Sequence, residues 1–135
     1  MQALTAGLSS VSSLQDGKLG DALELCEKIV IAKVKALGPD HIDLTKTYHT
    51  TGLIYEKQGK LEEALAMYEK SKAIKVKALG PDHEDVAASY DDIGNIYEKQ
   101  GKLEEALETH KQSDAIRIKA MREDHEHEAG SNAEA

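Results

Sequence analysis

Between Leu61 and Leu79 the apolar positions fall in two rows, Leu61, Ala64, Leu65 and Tyr68, then Met67, Ile74 and Ala78 with Ser71 among them. Both rows advance by three and four residues, the steps that keep side chains on one helical face. Two rows on one helix predict packing partners on two sides. Glu62 and Glu63 open the segment and Lys75 and Lys77 close it, the charge order a helix dipole favours. Gly80 then supplies a left-handed stop and Pro81 prevents continuation, while Asp82, with Asp85 three residues on, predicts an N-cap for the next helix. That helix, Asp85 to Lys99, carries Val86, Tyr90, Ile93, Gly94 and Tyr97 on one face.

The same pattern recurs along the chain. KVKALGPDH stands at 33–41 and again at 75–83, and Gly17, Gly59 and Gly101 each open a GKL, 42 residues apart. A fixed period of this length predicts stacked repeats, with units at about 1–37, 38–79 and 80–121 forming one domain, 1–121. The remainder, 122–135, is an acidic, His-containing tail expected to be flexible. In the earlier copy, Asp40 and Asp43 are the expected cap, and the helix 43–57 carries Leu44, Tyr48, Thr51, Gly52 and Tyr55. A helical Gly costs about 1 kcal/mol relative to Ala, so Gly52 and Gly94 imply a close helix approach, expected against Ala64 and Ala106.

The two ends depart from the repeat. Ala3 to Leu14 matches the first helix of a unit poorly and reads as a degenerate opening helix or as the edge of a longer array. In the last helix, Leu103 to Met121, Glu108, Thr109 and His110 replace Ala66, Met67 and Tyr68, as if the outer row had turned polar at a terminal unit. Ile116, Ala120 and Met121 still leave apolar surface there. Either the tail folds back from Arg122 as a cap, or two chains pair through their terminal helices.

Composition narrows the picture. The chain has no Trp or Phe and five Tyr, and Ala, Leu, Ile, Lys and Glu fill its regular segments, which favours an all-α fold. At 135 residues there is room for one continuous core. A net charge of -8 sets the chain against a phosphate backbone, so no nucleic-acid partner is expected. No apolar run has bilayer-crossing length and Met1 to Leu14 lacks the features of a signal peptide, so a cytoplasmic setting without a membrane partner is expected. Cys26, the only cysteine, lies on an apolar helical stripe and reads as a buried thiol.

Tyr48, Gly52, Tyr55, Ala64 and Tyr68, and again Tyr90, Gly94, Tyr97 and Ala106, carry a pattern that resembles the tetratricopeptide repeat. The 42-residue period with LGPDH between units resembles the variant found in kinesin light chains. The resemblance covers about Gly17 to Met121. It implies antiparallel helix pairs stacked as a right-handed superhelix, an α-solenoid, in which the first helix of each unit lines a concave groove. It also implies a non-enzymatic scaffold that binds a protein or peptide segment. His110 departs from the family pattern, standing where Tyr68 and Cys26 occur in the other units.

On those first helices the residues left over from the core face are Lys46, His49, Thr50, Leu53, Glu56 and Lys57, then Ala88, Asp91, Asp92, Asn95, Glu98 and Lys99. Lys46, His49, Leu53, Lys57, Asp91, Asp92, Asn95 and Glu98 are the expected peptide-binding set. Kinesin light chains commonly place an Asn pair where this chain has His49 with Thr50 and Asp91 with Asp92, so that amide clamp does not carry over. The two-carboxylate clamp of chaperone-binding repeats needs Lys and Asn where His49 and Leu53 stand. Asn95 can both donate to and accept from a peptide backbone, and Asp91 with Asp92 suit a basic ligand. The alternatives are a solvated acidic face or contact with a neighbouring unit, and a structural spacer or self-assembling segment without a dedicated ligand.

Catalytic chemistry is not indicated. Adjacent helix residues such as Asp91 and Asp92 diverge by about 100° and share no target, and there is no nucleophile elbow or phosphate-cradling loop. No cofactor is expected. Asp124, His125, Glu126, His127 and Glu128 gather metal-ligand types, yet His125 and His127 diverge on a helix, and the group reads as a hydrophilic ending rather than a metal site. His41 and His83 read as helix-start residues.

Overall fold

The computed structural model describes the backbone of residues 2–134 and the side chains of residues 17–125. Five helices follow one another, α1 (Gln2–Leu37), α2 (Leu44–Lys57), α3 (Leu61–Leu79), α4 (Glu84–Lys99) and α5 (Leu103–Glu134), and the described residues contain no strand. Each helix packs on its neighbours in the chain, so the fold grows as a line of hairpins rather than around one centre. Short turns make the hairpins antiparallel: α2 with α3, and α4 with α5.

Glycines set the breaks. Gly38, Gly59, Gly80 and Gly101 all have positive φ. At the QGK turns, the amide of Lys60 donates to the Tyr55 carbonyl at 2.8 Å and that of Gly59 to Glu56 at 3.0 Å, and Lys102 and Gly101 repeat the arrangement. These paired bonds satisfy carbonyls that a helix end leaves orphaned. The GPDH turns differ from expectation in one respect. His83, not Asp82, is the N-cap of α4, its Nδ1 accepting from the Asp85 amide at 3.0 Å. Asp82 instead accepts from Lys119 at 2.5 Å, just as Asp40 accepts from Lys77 at 2.7 Å. Each Asp thereby ties the start of a unit to the end of its second helix.

The core lies between successive helices. Ala64 and Tyr68 of α3 meet Ile93 and Ile96 of α4, with Leu61, Leu65, Tyr55 and Tyr97 packed around them. Further along, Val86 and Ala87 of α4 meet Ile116 of α5, with Val76 and Tyr90 alongside. The two-sided packing of α3 is thus realised, against α2 and α4. Gly52 and Gly94 are close approaches, and the atoms nearest to each belong to a ring rather than to an alanine. A Cβ at Gly52 would stand 2.6 Å from the Tyr68 ring, and one at Gly94 2.6 Å from the His110 ring. The ring fills the space one turn beyond the small residue.

The two ends differ from the inner units. Gly17 lies inside α1 without a turn, so the first segment is one continuous helix rather than a hairpin. The sequence departs from the later units here: Gln2, Ala6, Ser10 and Ser13 stand at the positions of Leu44, Tyr48, Gly52 and Tyr55, so the residues that build the later hairpins have no counterparts. At the other end α5 runs through Arg122 to Glu134, so the chain does not turn back there as a cap. Arg122 and Glu123 replace Gly80 and Pro81, and nothing stops the helix. Thr109 is buried and His110 half-buried against α4, so two of the three polar replacements fall on an inward face, and Glu108 alone is exposed.

Candidate functional site

Two rows of side chains stand opposite the core. On α2 they are Lys46, Thr50, Leu53 and Lys57; on α4, at the same repeat positions, Ala88, Asp92, Asn95 and Lys99. The spacing of four, three and four residues keeps each row on one helical face. Two contacts set the rows side by side. His49 Nδ1 lies 3.3 Å from Asp92, and Lys99 Nζ lies 3.6 Å from Glu56. Lys46, Leu53, Lys57 and Asn95 are exposed, Asp92 is half-buried, and Leu53 and Asn95 occupy the middle of the surface.

The acidic residues are less open than the sequence suggests. Asp91 faces α5, where one carboxylate oxygen accepts from Arg117 at 2.7 Å and the other lies 3.3 Å from His110 Nδ1. Burial pushes the Asp91 carboxyl up, but hydrogen bonds from Arg117, Ser113 and His110 outweigh it and hold the group below the usual carboxylate value. Glu98 reaches the other ring nitrogen of His110 at 3.3 Å. Asp92 behaves in the opposite sense. Burial raises its pKa, with Glu56 and Asp91 adding to the effect and His49 and Lys75 opposing it. Tyr68, packed under His49 with ring centroids 5.5 Å apart, is also raised, first by burial and then by Glu56 and Asp92.

The surface therefore combines an apolar centre, one free amide, and charges that are mostly paired. Among the described residues, the cations without an ion pair in the two rows are Lys46 and Lys57, both on α2. Of the eight residues expected to bind peptide, Lys46, Leu53, Lys57, Asn95 and Glu98 are exposed, His49 and Asp92 form the seam between the helices, and Asp91 belongs to the α4–α5 contact. Arg117 and His110 are the residues that sequence reasoning missed. A signal for them exists: Asp91, His110 and Arg117 replace His49, Tyr68 and Lys75 at the three matching repeat positions, and the three replacements touch. Repeats that change together in one unit mark a shared contact.

Among the described residues no group of three or more His, Cys, Asp and Glu could hold a metal ion, and the side chains of Glu126, His127 and Glu128 lie outside those residues. Cys26 is buried. No described helix is long and apolar enough to cross a membrane.

Residues 2–77 and 52–119 each match the family model for the tetratricopeptide repeat. A solved structure from Podosopora anserina, described as "kinesin light chain nearly identical TPR-like repeats", is 30% identical, with a TM-score of 0.66. The match covers 78% of this chain and 50% of that one. A single-substitution form of that protein gives the same identity and coverage and a TM-score of 0.67. BtubC (BKLC) from P. vanneervenii shares the fold at 19% identity and a TM-score of 0.71, over 76% of this chain and 41% of the other. This chain thus spans about half the length of the Podosopora structures it matches. No curated protein shows significant sequence similarity.

Proposed function

This chain belongs to the tetratricopeptide repeat family, whose repeats generally mediate protein–protein interaction, and from that premise we propose that it is a scaffold whose α2 and α4 rows take an extended peptide. The observation that carries the reading is the open surface made by Leu53 and Asn95 with lysines around it, bordered by the His49–Asp92 and Glu56–Lys99 ties between α2 and α4. An apolar peptide side chain rests on Leu53 while Asn95 exchanges hydrogen bonds with the peptide backbone. A basic side chain is drawn to Asp92 and Glu98, and an acidic one to Lys46 and Lys57. Asp91 contributes through Arg117 and His110, by fixing the α4–α5 wall rather than by touching ligand. The chain acts by binding and not by catalysis, in a cytoplasmic setting.

Peptides selected from a random displayed library supply the probe. Leu53→Asp and Asn95→Ala should each weaken the selected peptides at least tenfold, about 1.4 kcal/mol, in fluorescence polarisation. Circular dichroism should stay at the level of the unaltered chain. Affinity indifferent to both substitutions would overturn the assignment of this face.

A further inference from the structure

The outer face of α5 is bare where the matching face of α3 is covered. Leu61 and Leu65 pack against the Ile93 and Ile96 cluster of α4, and Val76 packs against Val86 and Ala87. Their repeat counterparts on α5 are Leu103, Leu107 and Ile118, and these are 68%, 59% and 49% exposed, with Met121 next along the face at 70%. Lys111 and Asp114 complete the row, both exposed. Successive members lie four, four, three, four and three residues apart, so one continuous stripe of about five turns results. It points away from Ala106, Ser113 and Ile116, which α4 buries.

The polar members of the stripe decide what covers it. On α3 the corresponding position is Lys72, whose Nζ sits 4.7 Å from the ring centre of Tyr90 on the covering helix. That is a favourable cation–π contact. In α5 the position is Asp114, and a carboxylate over a tyrosine face meets the negative side of the ring. A further helix of the α4 type is therefore a poor cover for α5. The stripe is instead complementary to itself. Laid antiparallel with the two-fold axis between residues 112 and 113, Leu107 meets Ile118 of the second copy, Lys111 meets Asp114, and Leu103 meets the Met121 region. Each contact occurs twice by symmetry, as a two-fold interface requires.

We propose that α5 is a self-association surface, pairing two copies of this chain antiparallel through Leu103, Leu107, Lys111, Asp114, Ile118 and Met121. The pairing uses none of the α2 and α4 rows, so its fate is separate from that of peptide binding.

The two charges provide the test, in sedimentation equilibrium on the full chain over a concentration series. The unaltered chain should dimerise. Lys111→Asp places carboxylates opposite each other at both symmetric contacts, and Asp114→Lys does the same with ammonium groups, so each single variant should raise the dimer dissociation constant at least tenfold. Mixing the two variants in equal amounts restores opposite charges at both contacts and should recover a mixed dimer. Both substitutions are on exposed helix positions, and circular dichroism checks that folding is kept. A monomer up to millimolar concentration, a dimer indifferent to the single variants, or a mixture that stays monomeric would overturn the proposal. So would an open-ended assembly, which would place a different face, such as the exposed Leu25 and Ile31 side of α1, in the contact.

Discussion

Tyr68 is 2% exposed and its ring edge fills the space that a Cβ at Gly52 would need, whereas His110, in the same place in the next unit, keeps 29% of its side-chain exposure. A methyl group added at Gly52 meets a ring enclosed in the core, while the His110 ring borders solvent and has room to give, at the expense of its Asp91 and Glu98 contacts. Overpacking costs roughly 1–3 kcal/mol and the helix propensity gained by Ala offsets about 1. Gly52→Ala should therefore destabilise by up to about 2 kcal/mol and Gly94→Ala by less, read from urea unfolding midpoints. The sequence signalled that these glycines permit a close approach. It pointed to the alanines because small residues pair in packing arguments, whereas here a large flat ring needs the room.

Asp91 also belongs to the residue scale, and its pH dependence has a definite sign. Because its carboxyl is held below the ordinary value in the fold, its contribution is present at neutral pH and is lost as pH falls below about 4. Asp91→Asn should cost about 1 kcal/mol at pH 7, discounted because both partners of the Arg117 pair remain partly in solvent. Unfolding midpoints of the variant and the unaltered chain should converge as pH falls through the lowered value of Asp91. Asp92, raised by burial, has the opposite sign: its contribution is fullest in acid and declines as pH rises through its elevated value, so Asp92→Asn should not show the neutral-pH loss of Asp91→Asn.

At the scale of elements, what could be read from the chain was mostly where helices stop. Gly80 has φ 91 and ψ 157, a backbone region open to glycine and closed to L side chains, and no atom crowds its missing Cβ. Gly80→Ala should thus cost on the order of 1–3 kcal/mol through backbone strain alone, again measured by urea unfolding. The glycine stops were legible because positive φ is a property of one residue. The choice of His83 over Asp82 as cap was not, because Asp82 is drawn off by Lys119, 37 residues away, and such competition is set by the hairpin. Gly17 teaches the converse. It stands in a GKL like the others, yet the chain continues as helix. Ser13 replaces the Tyr55 and Tyr97 that close the later turns.

At the scale of the whole molecule, the repeat gives two surfaces of different kinds. The α2 and α4 rows are open by design of the stack, since the first helices of successive units lie side by side with their outer faces unfilled. The α5 stripe is open because no helix of this chain packs on that face. Repeat spacing made the first surface readable in outline, and the exposed Lys46, Leu53, Lys57 and Asn95 were named from position alone. The pairing of Asp91 with Arg117 was not readable from spacing, since it joins residues 26 apart on two helices. Its trace in the sequence is the joint replacement of His49, Tyr68 and Lys75 by Asp91, His110 and Arg117 in the last unit.

The most direct measurement of the central claim is a backbone amide chemical-shift map of the chain, titrated with one library-selected peptide. The largest shifts should cluster at Lys46 to Lys57 and at Ala88 to Lys99, with α1 and the outer face of α5 unmoved. Shifts concentrated on α5 or α1, with the α2 and α4 rows silent, would contradict it.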